Sequence, residues 1–325
     1  MAKRLDMKTF DFKDVMLVPR KSFITSRSEA DTKITLGKIS FEIPVVPANM
    51  STIIDKGLAE YLASNNYFYV MHRFDVDPVE FVKDFNEKGL FTSISLGIKE
   101  DDYKHVDNLS KLNLAPDYIT VDVAHGHSDT VIDVIKYISK HLPDSYIIAG
   151  NVGSVEGALD LEEAGAHCIK VGVAPGFVCT TGPNTGFGTR GYQLSAVEKI
   201  SEALQSADVI ADGGIRHYGD IAKAIALGAD MVMVGSMFAG HDESPGEIIE
   251  EENGEKVKAY FGSASEFQKG EKKYVEGRKA FVPYKGAISE TLRTIRENLQ
   301  SSISYAGGKE LLDLRNVEYV LLDNQ

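Results

Sequence analysis

Eight short apolar runs recur between Pro44 and Ser236 at intervals of about 22 to 28 residues, with one interval stretched to about 40. The runs are Pro44–Met50, Tyr67–His72, Thr92–Gly97, Tyr118–Ala124, Tyr146–Gly150, Cys168–Gly172, Asp208–Gly214 and Asp230–Ser236. They are apolar almost throughout rather than alternating, as parallel strands buried on both faces must be. Between them lie amphipathic patterns that predict helices over about 54–64, 78–87, 100–111, 129–140, 154–164, 194–204 and 218–227. A strand plus a helix, repeated eight times, predicts an α/β fold of the (β/α)8 TIM-barrel type. A doubly wound open sheet is the alternative, and the even repetition favours closure. The chain is expected to form one barrel domain over residues 1–325 without an inserted domain.

The stretched interval follows the sixth run. Residues 173–192 are rich in Gly and Pro and carry a thiol at Cys179 beside hydroxyls at Thr180 and Thr181. Loops after strands build the catalytic face of a barrel, and long loops inside compact domains are commonly functional. A reactive Cys179 is therefore favoured over an inert filler. Regular structure is expected to resume near Gln193.

Asp212-Gly213-Gly214 ends the seventh run and Gly235-Ser236 the eighth. Backbone N–H groups of these two loops suit a phosphate, while the acidic Asp212 suits ribose hydroxyls. Gly186 to Gly191 spell G-x-G-x-x-G, but they neither follow a strand directly nor open a helix, so a dinucleotide fingerprint is rejected. His125 and His127 lack a third ligand at suitable spacing and read as wall residues of the barrel mouth.

Beyond the eighth run, residues 256–260 suggest a returning strand, and the polar, Lys-rich 262–277 a lid; together a flap is expected over about 254–285. A last helix is expected over about 289–301, then a short helix and an apolar strand at 317–322. The net charge of −13 and pI of about 5.1 argue against nucleic acid as a partner. Two cysteines, no signal-like start and no apolar run of membrane-spanning length predict a reducing, cytoplasmic setting.

Gly176-Phe-Val-Cys-Thr-Thr181, with Ile210-Ala-Asp-Gly-Gly-Ile-Arg216 downstream, resembles the IMP dehydrogenase/GMP reductase family. The likeness extends from Asp11 and Ser26-Arg-Ser28 to Tyr305-Ala-Gly-Gly308. Met237–His241 and Glu243–Glu247 are similar to the reductase branch, as is the lack of the regulatory pair that dehydrogenases insert. The resemblance implies that GMP and NADPH give IMP, ammonia and NADP⁺, a step of purine interconversion and salvage. Cys179 would form a thioimidate at C2 of the base, with Thr181 and Glu276 moving protons. Asp212 would hold the ribose, and Gly213, Gly214, Gly235 and Ser236 the phosphate. Gly262, Ser263, Ala264 and Gly277 would complete the nucleotide contacts.

Cofactor positions implied by the resemblance are Ser26, Arg27, Arg73, Asp122, Val123, Ala124, Val173 and Ala174. Ser301, Ser302, Ile303 and Ser304 would reach a neighbouring subunit's cofactor, since the family is typically tetrameric. Arg27 and Arg73 suit the 2′-phosphate of NADPH. The resemblance also implies a potassium ion on the backbone carbonyls of Ala174, Gly176, Cys179 and Gly182, although Ala174 stands where Gly is common and Gly182 where a basic residue is common. The competing readings are a minimal IMP dehydrogenase, in which water attacks the thioimidate, and a non-catalytic purine nucleotide-binding barrel.

Overall fold

The computed structural model describes residues 2, 3, 5, 7–262, 265, 268 and 277–322. Its strands are β1 (Val15–Leu17), β2 (Ile34–Leu36), β3 (Ile39–Phe41), β4 (Val45–Pro47), β5 (Ser93–Leu96), β6 (Tyr118–Asp122), β7 (Tyr146–Val152), β8 (Cys168–Val171), β9 (Asp208–Asp212), β10 (Met231–Val234), β11 (Ile248–Glu250), β12 (Lys256–Phe261), β13 (Lys279–Pro283) and β14 (Tyr319–Leu321). Helices α1 (Lys56–Ser64), α2 (Pro78–Glu87), α3 (Glu100–Lys111), α4 (Asp129–His141), α5 (Val155–Glu163), α6 (Thr181–Thr185), α7 (Gln193–Ala203) and α8 (Tyr218–Ala226) alternate with the central strands, and a long helix, Ile288–Tyr305, follows β13.

The central sheet is parallel, in the order β4-β10-β9-β8-β7-β6-β5, and curls as the wall of a TIM barrel. β5, β8 and β10 are buried along their whole length, which is why their sequences show no alternation. The helices form where the sequence caps them. In α2, the Asp77 side chain accepts the N–H groups of Val79 and Glu80, Pro78 opens the helix, and Val79, Phe81, Val82 and Phe85 turn inward.

The expectation of eight regular strands needs correction at one run. Tyr67–His72 makes only a single parallel bridge, Met71 to Ile94. Side-chain hydroxyls replace ladder bonds there: Ser95 Oγ donates to the Met71 carbonyl at 2.7 Å, and Tyr69 Oη to that of Phe91 at 3.0 Å. A second correction concerns the Cys loop, which contains the short helix α6, closed by Gly186 at φ 80°.

One mouth of the barrel is sealed. The β2–β3 hairpin brings Phe41 against Phe68 at 5.0 Å, and Phe68 packs edge-on against Tyr118, the first residue of β6, at 4.9 Å. Tyr118 Oη donates to the Leu36 carbonyl at 2.6 Å. This plug lies at the strand N-termini and leaves the C-terminal mouth for ligands. β1 and β14 pair antiparallel, joining the two ends of the chain, and β11-β12-β13 form a separate antiparallel sheet. Among the described residues no helix is long and apolar enough to cross a membrane.

Candidate active site

β8 delivers the Cys loop, and Thr189 pins its return. The buried Thr189 receives the Val173 N–H on its hydroxyl at 3.1 Å and donates its own N–H to the Val173 carbonyl at 2.7 Å. Within the clamp, the half-buried Cys179 places Sγ 3.2 Å from Thr181 Oγ1, so a hydroxyl stands within proton-transfer reach of the thiol. Arg190 Nη2 donates to the carbonyls of Gly176 at 2.8 Å and Cys179 at 3.1 Å. The other thiol, Cys168, begins β8 at the opposite end of the barrel. Burial pushes its pKa well up, helped by the charges of Asp208 and Asp230, so it is chemically quiet.

The β11–β13 sheet leans on this loop. Cys179 bridges antiparallel to Gly277, and the Arg278 N–H donates to the Val178 carbonyl at 3.0 Å. Gly262 lies opposite Val178 as β12 ends. The expected site residues Glu276, Ser263 and Ala264 lie outside the described residues.

Beside the Cys loop opens a cavity of about 680 Å³. Gly213 and Gly214 after β9 and Gly235 and Ser236 after β10 line it together, as the sequence suggested. Four cationic side chains that sequence reading passed over also line it: Arg190, Arg216, Arg278 and Lys285. Glycine N–H groups and cationic side chains are chemistry suited to an anion, and the Arg190 guanidinium is already taken up by the Gly176 and Cys179 carbonyls. Lys285 Nζ donates to the carbonyls of Ser236 at 2.6 Å, Met237 at 3.2 Å and Ala239 at 3.0 Å, and burial pulls its pKa down to about 8. A Cβ at Gly235 would collide with Tyr260 Oη, so any larger residue there must displace the Tyr260 ring or the loop.

Asp212 and Asp122 converge on Lys170, whose Nζ lies 3.1 Å from the first and 2.7 Å from the second. Lys170 is 1% exposed. Burial disfavours its charge, but the two carboxylates more than compensate and raise its pKa above the usual value. For Asp122 burial acts upward, and Lys170, with Arg73 and a hydrogen bond from Asn49, outweighs it and holds the carboxyl below its usual range. Asn151 Nδ2 donates to Asp212 at 2.7 Å. Lys170 had a readable signal, a lone charge inside an apolar strand, which only paired partners make tolerable.

The cofactor candidates form three groups. Asp122, Val123 and Ala124 lie at the C-terminal end of β6, Arg73 follows the Tyr67–His72 run with its charge acting on Asp122, and Val173 and Ala174 open the Cys loop. Farther out, Ser26 caps a turn beginning at Arg27, whose guanidinium donates to Ser301 Oγ and Tyr305 Oη at 3.2 Å each and lies over the Tyr305 ring. Ser302 Oγ bonds the Asn298 carbonyl, Ser304 meets Ser22, and Ile303 is core. No hydrogen bond or ion pair joins Arg27 to Arg73 or Asp122 among the described residues. His127 pairs with Asp160 at 2.7 Å, and the described residues contain no group of three or more His, Cys, Asp or Glu suited to a metal.

The sequence profile of the IMP dehydrogenase / GMP reductase domain matches residues 9–323. A protein named GMP reductase from Ligilactobacillus salivarius (strain UCC118) is 57% identical over 319 residues, covering 98% of each chain. A GMP reductase of Oceanobacillus iheyensis is 57% identical over 316 residues, 97% of this chain and 96% of its own. One from Bacillus thuringiensis subsp. konkukian is 56% identical over 316 residues with the same coverage. The profile covers almost the whole chain, Cys loop and glycine-lined cavity included, and the chain belongs to the IMP dehydrogenase / GMP reductase family.

Proposed function

We propose that this chain is an NADPH-dependent GMP reductase, converting GMP to IMP and ammonia. The observation that carries the reading is the Cys179–Thr181 pair, 3.2 Å apart, beside a cavity rimmed by Gly213, Gly214, Gly235 and Ser236. Full-length relatives of 56–57% identity that bear the name GMP reductase support it.

C2 of guanine is a weak electrophile, so a covalent nucleophile divides one hard displacement into two easier steps. Cys179 Sγ bonds to C2, and the exocyclic amine departs as ammonia, leaving a thioimidate. Thr181 and Glu276 carry the proton that the leaving amine needs. NADPH, when bound, supplies a hydride for C2. The C2–S bond then breaks, returning the Cys179 thiolate and leaving IMP. Asp212, held by Lys170 and Asn151, bonds the ribose hydroxyls. The phosphate lies on the glycine loops among Arg216, Arg278 and Lys285.

For the dinucleotide, Asp122, Val123, Ala124 and Val173 flank the nicotinamide side and Arg73 and Arg27 the phosphates. The fit rests on Arg27, whose guanidinium stacks on Tyr305 and pairs with no carboxylate among the described residues. The protein works as a single barrel domain with a flap over 254–285, assembled as a cytoplasmic homotetramer in which Ser301, Ser302 and Ser304 meet a neighbour's cofactor, while Ile303 is buried in the core and only carries the helix.

The test is to mix purified protein with GMP and NADPH, follow the nicotinamide absorbance and identify the product. Cofactor oxidation that requires GMP, yields IMP and disappears in Cys179→Ala is expected. NADH formation from IMP and NAD⁺ instead would assign the dehydrogenase reaction. No reaction with either pair would leave a nucleotide-binding barrel.

A further inference from the structure

We infer that the Arg190 side chain is the Cys loop's own cation, gathering the loop carbonyls so that no monovalent metal ion is needed to shape it. The inference deepens the reading of Cys179 as the nucleophile and rests on it. The carbonyls a potassium ion would use are those of Ala174, Gly176, Cys179 and Gly182, and three are already engaged. Gly176 O accepts from Arg190 Nη2 at 2.8 Å and from the Cys179 N–H at 3.3 Å, which uses both of its lone pairs. Cys179 O accepts from the same Nη2 at 3.1 Å, and Gly182 O from the Gly186 N–H at 2.8 Å. A potassium shell is built from several carbonyls aimed at one point. This set does not fit one, because a positive charge already sits on two of its members.

The position of Arg190 is fixed by its neighbour. Thr189 is fully buried and bonded to Val173 through both its N–H and its hydroxyl, so the guanidinium leaves a clamped point of the backbone. Among the described residues no carboxylate pairs with Arg190. Ala174, at φ 61°, is buried with its Cβ under the loop, 3.9 Å from where a Cβ on Gly182 would stand. The spacing between Gly176 and Cys179 that one guanidinium nitrogen spans is the spacing that presents the thiol. Arg190 is thus a positioning residue acting through two peptide groups. It also lines the anion cavity, and a direct phosphate contact would leave a different signature.

The test compares wild type, Arg190→Ala and Arg190→Lys in potassium, sodium and choline chloride at one ionic strength. Wild-type kcat is expected to agree within about twofold across the salts. Arg190→Ala is expected to lose about tenfold or more of kcat in choline, with KM for GMP little changed, and to regain activity when sub-denaturing guanidinium or potassium is added. Arg190→Lys, which keeps the charge, retains part of the wild-type rate and guards against a variant that does not fold. A wild-type kcat that collapses in choline would overturn the inference. So would an Arg190→Ala enzyme altered only in KM for GMP, or unaltered in every salt.

Iodoacetamide alkylation of Cys179, with buried Cys168 as internal control, gives a readout independent of turnover. Salt-insensitive alkylation of wild type and salt-sensitive alkylation of Arg190→Ala are expected. If that pattern appears while GMP is not reduced, the proposed reaction fails and the role of Arg190 stands.

Discussion

Asp122 and Asp212, at the ends of β6 and β9, share one buried ammonium. Lys170 Nζ is 2.7 Å from Asp122 and 3.1 Å from Asp212, and Asn151 closes the group on the Asp212 side. The first carboxylate belongs to the expected cofactor side and the second to the expected ribose side. One lysine therefore sets the positions of the groups meant to hold both reactants.

Lys170→Met is expected to destabilise the fold by about 3–5 kcal/mol, because it leaves two carboxylates together without their counter-ion. Asp122→Asn added to Lys170→Met should restore much of the stability but not the activity. Urea unfolding of the two variants beside turnover checks this. Equal loss of stability in the single and double variants would mean that charge is not the cause.

The same triad fixes a pH window. Lys170 is raised above 10.5 in the folded chain, so the stability it brings is complete below that pH and lost as pH rises through the folded value. Asp122 is lowered below 3.8, so its contribution is complete above that pH and lost as pH falls through the folded value. In Lys170→Met burial acts on Asp122 without its counter-ion and pushes its pKa up, so the stability difference between wild type and variant should be largest near about pH 9 and shrink as pH falls toward about 5. Thermal melts at several pH values test it, and a difference that stays constant across that range would place the proton elsewhere.

The barrel was legible because burial on both faces leaves an apolar run with no alternation, and seven of the eight runs form ladder strands. The eighth, Tyr67–His72, reads identically, since its missing ladder bonds are taken by Ser95 and Tyr69 hydroxyls that no periodicity announces. Cys179 and the glycine pairs stood out through composition and place. Arg190, Arg216, Arg278 and Lys285 did not, because a surface cation and a pocket cation look alike until the loops converge. Ile288–Tyr305 was expected to end near Ser301, yet Ile303 is buried one turn further and carries the helix on.

Cys179→Ala is expected to lower turnover by at least about 10³-fold while leaving GMP binding measurable, since it removes the bond-forming atom and nothing from the anion pocket. Thr181→Val should cost less, about 10²-fold, as loss of a proton carrier does. Calorimetric titration with GMP beside turnover separates the two. Loss of GMP binding in Cys179→Ala would mean the thiol supports the pocket instead.

Arg27→Ala is expected to raise KM for NADPH about tenfold or more while KM for GMP stays near wild type, because a hydrogen bond to a charged group contributes about 1.5–3 kcal/mol. The effect on NADH should be smaller, since only NADPH carries the extra phosphate. Steady-state kinetics with both cofactors checks it. Equal losses for NADPH and NADH would point to support of the Tyr305 helix end rather than phosphate recognition.

Gly235 and Tyr260 offer a closed test of the anion pocket. A Cβ on Gly235 would collide with Tyr260 Oη, and Tyr260 is buried on β12. Gly235→Ala must therefore displace either the Tyr260 ring or the β10 loop, and KM for GMP is expected to rise about tenfold. Tyr260→Phe removes only the oxygen, so Gly235→Ala with Tyr260→Phe should bind GMP better than Gly235→Ala alone. The interaction energy of the double-mutant cycle should fall within about 0.5–3 kcal/mol. A cycle that sums to zero would show that the alanine acts on the phosphate directly, and the contact between loop and flap strand would then have no part in shaping the pocket.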